Sequence, residues 1–587
     1  MLAPLTYTLS PLVERTIEFK GLNRKPVIDD GEMRDMHNMS SDKYPFLTPR
    51  RPRGLFSTAF DNVIDMISKD GVMAVIDKKE NGDIRFYWNV TAENPSGEYV
   101  PGLALTEDTY MVDINTKICF FSKNHEPGSN VKLWFDTYKY TLRNLPNADP
   151  YLGNIEHYAA GTGVSLKITK GTDANGNGVE TLEVTVDPGG NIDFRGFREG
   201  DAVQLVAPGT LFKSLNVSAV IQSVNAEGTA VTFPGETFLD AFATDTDDDP
   251  SSTDTLRVKT YSGVDFTVQR TCPELDIVIE YNNRLWGVSN ADNTIYACKL
   301  GDPLQWMYFQ NTTLDSYYAE QGTDGDWTGA AAFSNHLLFF KENHIHKLYG
   351  SKPSEYQIST AKCYALEEGS EKSVCIANDI VFYKSAIGIM AYTGGTPSLV
   401  SDVFGDEKYK NVVAGSDDLK YYICATNSSG GRDVFVYDLE HGFWYKEDNV
   451  DITGFCLYGN KLVYISNGNL YYMNGAPGDA AETDAQIGWH AEFGPFDEYV
   501  EERKIYSKLR MRLEMETDSQ IIVKTKHDNG EWITVYTQIA DTETSIEIPV
   551  SVRRCNRFSV RIEGTGRVRI LSLTRLFRGS TMRRDVM

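Results

Sequence analysis

One short pattern recurs along this chain and constrains its fold more than any other feature. It reads "YNNRLWGV" around Asn283 and returns as "FSNHLLFF" around Asn335, "IANDIVFY" around Asn378, "GSDDLKYYI" around Asp418 and "YGNKLVYI" around Asn460, at intervals of 52, 43, 40 and 42 residues. Upstream, "SKDGVMAVI" at Asp70 and "DINTKICFF" at Asn115 lie 45 residues apart and fit the same mould. Each copy is a strand, a turn residue that tolerates positive φ, and a short strand mixing aliphatic and aromatic side chains. A β-rich unit with a period of ~40–50 residues is the mark of a propeller, one four-stranded blade per repeat. A lone blade cannot bury both faces, so neighbours must stack, and ring closure leaves only short edges exposed. Seven such hairpins are present, of which one could belong to a flanking domain. The expectation is an all-β chain with a six- or seven-bladed β-propeller.

At 587 residues the chain exceeds what one core can organise, since single cores stop growing near ~250–300 residues. The 168 residues between Asn115 and Asn283 are far more than one blade. Within them "GVSLKITKG", "ETLEVTVD", "GDAVQLVA" and "SAVIQSVN" alternate like the strands of a small inserted β-barrel. Residues 236–254 there hold seven acids and no base, the composition of a solvated loop. Beyond residue 482 the repeat stops, and "KIYSKLRMRLEME", an Asn529-Gly530 turn and "RFSVRIEG" predict a β-sandwich. The expected organisation is an arm (1–54), leading blades (55–149), an inserted β domain (150–270), further blades (271–481), a β-sandwich (482–575) and a tail (576–587).

The net charge of −25 argues against a protein that grips nucleic acid by neutralising phosphates. That charge is uneven: residues 503–587 carry +7, residues 1–53 carry +2, and the middle carries −34. Such asymmetry points to contacts between unlike surfaces, with partners or with other copies of the chain. The eight cysteines are scattered without a CxxC pair, mostly inside apolar strands, and read as reduced core residues. The first residues show no basic-then-apolar secretory pattern, and no apolar run reaches the ~18 residues a membrane span needs. A soluble chain made in a reducing cytoplasm is expected.

Candidate chemistry is sparse. "TDANGNGVETLEV" begins like a calcium loop with Asp173, Asn175, Asn177 and Gly178, but its twelfth position is Val184, with Glu183 one place early, so a hairpin turn is favoured. His344 and His346 would share one side of a strand, yet two ligands do not make a zinc site. Asp324 and Asp326 beside Trp327 form an acid pair whose spacing in sequence says nothing about the ~5–10 Å separation glycosidases need. Phosphate-loop, HExxH and GxSxG motifs are missing from the sequence. The reading is of a chain that is not an enzyme and uses no cofactor. The basic clusters "PRRPR", with Arg50, Arg51 and Arg53, and "MRRDVM", with Arg583 and Arg584, are candidate interface residues.

The stretch "GLNRKPVIDDGEMRDMHNMSSDKYPFLTPRRPR" resembles the opening of tail proteins from short-tailed bacteriophages: Gly-x-Asn, an acidic turn, an Asn, then an apolar strand leading to basic residues. "NNRLWGVSNADNTIYACKLGDPLQWMYF" and, more weakly, "FREGDAVQLVA" look like the same family, the tail nozzle (tubular tail B or head-completion stabilisation) proteins. The resemblance implies a homohexameric ring in the virion tail, below the portal and adaptor and beside other tail proteins and tail fibres. DNA would pass through its channel without specific binding. An acidic wall would discourage phosphates from sticking, within a screening length of ~8 Å. The basic +7 segment of one copy would meet an acidic face of the next in a ring-closing contact. Two other readings compete. One is a receptor-binding propeller, usually trimeric, presenting aromatics such as Trp327, Trp444 or Trp532 to host glycans. The other is a propeller glycosidase.

Overall fold

The computed structural model describes residues 11–172, 178–206, 217–234, 256–475, 486–498, 501–540, 544–550 and 553–579. The chain is all-β. Apart from one five-residue α-helix, Thr137–Thr141, and short 3-10 turns, every regular element among the described residues is a strand.

Each of the seven recurring hairpins forms the first two strands of a four-stranded antiparallel sheet. The first sheet runs Val63–Lys69, Val72–Lys78, Ile84–Val90 and Glu98–Val100, and the second Thr109–Ile114, Lys117–Ser122, Lys132–Asp136 and Leu152–Asn154. The third runs Ile277–Tyr281, Arg284–Ser289, Thr294–Ala297 and Tyr317–Glu320. Four more begin at Trp327, Cys375, Lys410 and Gly454. The turn residues adopt the conformation for which their types are suited: φ is 51° at Asp70, 52° at Asn115, 60° at Asn283, 47° at Asn378 and 66° at Asp418. Asn and Asp enter this left-handed region at low cost because a short polar side chain can bond the local backbone.

The chain divides into two compact units, Met1–Tyr99 with Phe340–Ile345 and Lys362–Met587, and Val100–Phe339 with His346–Ala361. In the second unit the second and third sheets pack through Ile114, Cys119, Phe121 and Trp134 against Leu285, Leu304 and Trp306. Between Leu152–Asn154 and Ile277–Tyr281 lies a seven-stranded sheet with its own core of Leu166, Ile168, Leu182, Val184, Phe194, Val203, Leu205 and Phe266. Its two terminal strands in hydrogen-bonding order, Val217–Val220 and Ser223–Val224, are two residues apart in the chain. The sheet therefore curls until its edges meet through one continuous segment.

In the first unit the first and last repeat sheets pack through Met66, Met73 and Val75 against Val463, Ile465 and Leu470. The last sheet is not built from its own repeat alone: its outermost strand is Gly54–Ser57, pairing with Asn469–Tyr472. Two five-stranded sheets follow, their facing sides closing over Leu509, Met511, Leu513, Val523, Phe558, Val560, Ile562 and Leu573. Here the structure differs from a free leading arm. Leu12–Thr16 pairs with Val568–Gly579, and Met33–His37 pairs with Gly488–Phe496, so residues expected as an arm supply one strand to each five-stranded sheet. The last strand also runs on to Gly579, into the expected tail.

Candidate functional site

The stretch that carries the phage-tail resemblance is woven into the first unit. Gly21 sits at φ +83°, and a Cβ there would lie 2.4 Å from the Trp444 carbonyl oxygen, so only glycine lets the chain pass at this point. Leu22 N–H donates to that same oxygen at 2.6 Å. Asn23 donates through Nδ2 to Glu32 at 2.8 Å and accepts from Lys25 N–H, fixing the acidic turn. Asn38, at φ 55°, accepts from Arg50 Nε at 2.8 Å and donates to Gly488 O at 2.7 Å.

Arg50 and Arg53 then run into a buried ionic latch. Arg53 is 2% exposed and its guanidinium reaches Glu447 at 2.6 Å, Asp448 at 3.0 Å and the Met473 carbonyl at 2.7 Å. Arg50 bridges Asp448 at 3.1 Å. Burial pushes the Glu447 carboxyl above its usual range, more than Arg53 and Arg50 pull it down. Burial acts the same way on Asp448, but there Arg53 and Arg50 win and hold it below the usual range. Both arginines are thus committed inside the chain and are not available as surface cations. Arg51 is exposed and paired with Asp42 at 3.1 Å. It lines a cleft of about 430 Å³ with Lys43, Glu514, Arg567 and Arg569.

In the second unit the "NNRLWG" hairpin organises the loop that follows it. Arg284 is 1% exposed and donates to the carbonyls of Cys298 at 2.7 Å, Asp315 at 2.6 Å and Thr313 at 2.9 Å. Its charge answers three backbone acceptors that burial would otherwise strand. Trp286 and Trp306 are core residues, and Trp306 Nε1 donates to Pro303 O at 3.0 Å. Gln305 reaches across to "REGDAVQLVA": its Nε2 donates to Asp201 at 2.6 Å, and its Oε1 accepts from Ala202 N–H at 2.8 Å. Asp201 also binds Arg270 at 2.6 Å, which joins the base of the inserted sheet to the third repeat sheet's loop. Two of the resemblance motifs, a hundred residues apart, therefore meet in one polar rivet.

The candidate chemistry is not gathered into a site. His346 is fully buried, with its two ring nitrogens 3.0 Å from the hydroxyls of Thr323 and Thr360, while His344 is half-buried. Asp324 and Asp326 are exposed, and Trp327 beside them is 4% exposed, packed in the core. Trp444 is likewise buried, its Nε1 donating to Val400 O at 2.7 Å. Trp532 is half-buried, with Lys526 5.7 Å above its ring. Asp173, Asn175 and Asn177, and Arg583 and Arg584, lie outside the described residues. Among the described residues no group of three or more His, Cys, Asp or Glu is placed to hold a metal ion, and no helix is long and apolar enough to cross a membrane. All eight cysteines are unpaired; burial pushes the Cys298 thiol up to about 12 and Cys555 to about 11. Glu447, Asp448, Asp201 and Gln305 carry the polar architecture without any signal in the sequence, because each takes its role from a partner tens to hundreds of residues away.

No protein-family model matches the chain, and no curated protein matches it. Solved structures similar to parts of it include a phage phi92 endosialidase, at 9% identity over 78% of this chain and 75% of that one, TM-score 0.29. Another is an exo-β-1,3-galactanase from Phanerochaete chrysosporium, at 10% identity over 50% of this chain and 95% of that one, TM-score 0.20. A third is PorZ of Porphyromonas gingivalis, at 11% identity over 90% and 82%, TM-score 0.23. Likeness at this level carries no inference about activity.

Proposed function

We propose that the chain is a structural subunit of a bacteriophage tail nozzle. In this reading the seven four-stranded sheets are the blades of one propeller, and six copies form a ring in the virion tail below the portal and adaptor. The ring shapes a channel through which DNA is retained and then ejected. It carries out no reaction, and its acidic composition keeps phosphates from adhering.

The observation that carries this reading is the rivet between Gln305 and the Asp201–Ala202 pair. The motifs on which the resemblance rests are devoted to holding sheets and loops together, which suits an architectural protein. The strand that Gly54–Ser57 lends to the last repeat sheet supports a closed wheel, because it ties the beginning of the repeats to their end.

The competing reading is a glycan-recognising tail propeller. Two of the three tryptophans it would present, Trp327 and Trp444, are core residues, which weighs against that use of them. Native mass spectrometry of the purified full chain separates the two. Six copies per assembly are expected for a nozzle, and a trimer that retains on a glycan array would overturn it.

A further inference from the structure

We infer that the loop and strand around Phe309, Leu314 and Tyr318 form a self-association surface, seated against a second copy of this chain. The inference builds on the reading of a ring-forming subunit and assigns the contact to a place on the chain.

These three side chains are 44%, 41% and 62% exposed, and Phe309 and Tyr318 meet edge to face with ring centroids 5.8 Å apart. They are displayed rigidly. Arg284 clamps the loop from below through the Thr313 and Asp315 carbonyls. From within, the buried Asp315 carboxylate accepts from Gln310 N–H at 3.0 Å, Thr312 N–H at 3.1 Å and the Thr312 hydroxyl at 2.7 Å. Tyr318 lies on Tyr317–Glu320, the outer edge of its sheet, where one side of the backbone has no neighbouring strand in the sheet. Large apolar side chains held in place before binding lose little freedom on association, which is what interface anchors require.

Charge selects the occupant. Residues 303–314, "PLQWMYFQNTTL", contain no ionisable acid or base, in a chain whose net charge is −25. The one carboxylate that follows, Asp315, is turned inward and committed to the turn. Two copies of so acidic a protein repel each other over most of their surface. An uncharged aromatic patch with an amide and hydroxyl rim is where they can approach without that penalty, and its composition is that of an interface centre.

The test compares the wild-type full chain with Phe309→Asp, Leu314→Asp and Tyr318→Asp variants by native mass spectrometry and sedimentation velocity. Circular dichroism and melting curves confirm that these exposed substitutions leave the fold intact. The expected result is dissociation of the assembly, with the dissociation constant raised at least ~100-fold by loss of anchor residues. A wild-type hexamer whose variants all remain hexameric overturns the inference and leaves the nozzle reading standing. An assembly of another size that falls apart on substitution keeps the inference and sinks the nozzle reading. Glycan binding by the wild type that is lost in the variants, with assembly unchanged, overturns the inference in favour of a sugar platform. A chain monomeric at all concentrations overturns both.

Discussion

Replacing Arg53 by methionine tests whether the leading segment is locked into the first unit. The substitution keeps most of the apolar stem and removes the charge that answers Glu447 at 2.6 Å, shares Asp448 at 3.0 Å, and donates to Met473 O. Asp448 retains Arg50 at 3.1 Å, so the damage falls on Glu447, whose side chain is 5% exposed. Stranding one member of a buried ion pair costs about 3–5 kcal/mol. The segment from Arg53 leads directly into Gly54–Ser57, the outermost strand of the last repeat sheet. Hydrogen exchange of those amides is therefore the assay. At about 1.4 kcal/mol per tenfold, protection should fall by roughly two to three and a half orders of magnitude. The double variant Arg53→Met/Glu447→Leu removes the stranded charge and should recover to within about 1 kcal/mol of wild type. A single variant that costs less than about 1 kcal/mol, or a double variant as damaged as the single, would refute the reasoning.

Gly21→Ala should cost about 3 kcal/mol in denaturant unfolding, since it combines a positive φ with a Cβ 2.4 Å from the Trp444 oxygen; a near-neutral result would mean the chain does not pass there. His37 lies opposite His490 across paired strands, ring centroids 5.9 Å apart, and burial followed by repulsion from His490 and Lys446 holds it below its ordinary value, with Asp448 opposing. Because the unfolded chain then takes the proton more readily, stability is full above about pH 6.5 and declines as pH falls from there toward the lower folded value. Melting temperature should drop from pH 7 to pH 5, less so in His37→Gln, and parallel curves would contradict this assignment. With Cys119, Cys272, Cys298, Cys424, Cys456 and Cys555 buried, the half-buried Cys363 and Cys375 should react first with a thiol reagent, which peptide mapping of the labelled protein would check.

The repeat was legible because its signal is local. A residue such as Asn283 or Asp418 that accepts positive φ must be flanked by strands, and the same turn opens each of the seven sheets. The outer strands were less visible, being as short as the two residues Ser398–Leu399. Long-range pairing was not legible at all. Nothing near Met33 announces Phe493, its partner 460 residues away, so strands of both five-stranded sheets read as a loose arm. The arginines of "PRRPR" looked like surface cations for the same reason, since Glu447 and Asp448 lie about 400 residues further on. Trp327 and Trp444 looked like presentable aromatics because sequence alone does not tell a turn from the core packed beneath it. The resemblance motifs, by contrast, marked real structural joints at Gly21, Arg284 and Gln305, although their sequence gave no account of the geometry.

The reading of this chain as an element of construction that shapes a passage rests most directly on its copy number. Native mass spectrometry of the wild-type protein at micromolar concentration should give a mass near six times 65.8 kDa. A stable monomer or trimer that degrades or retains a polysaccharide would contradict the account.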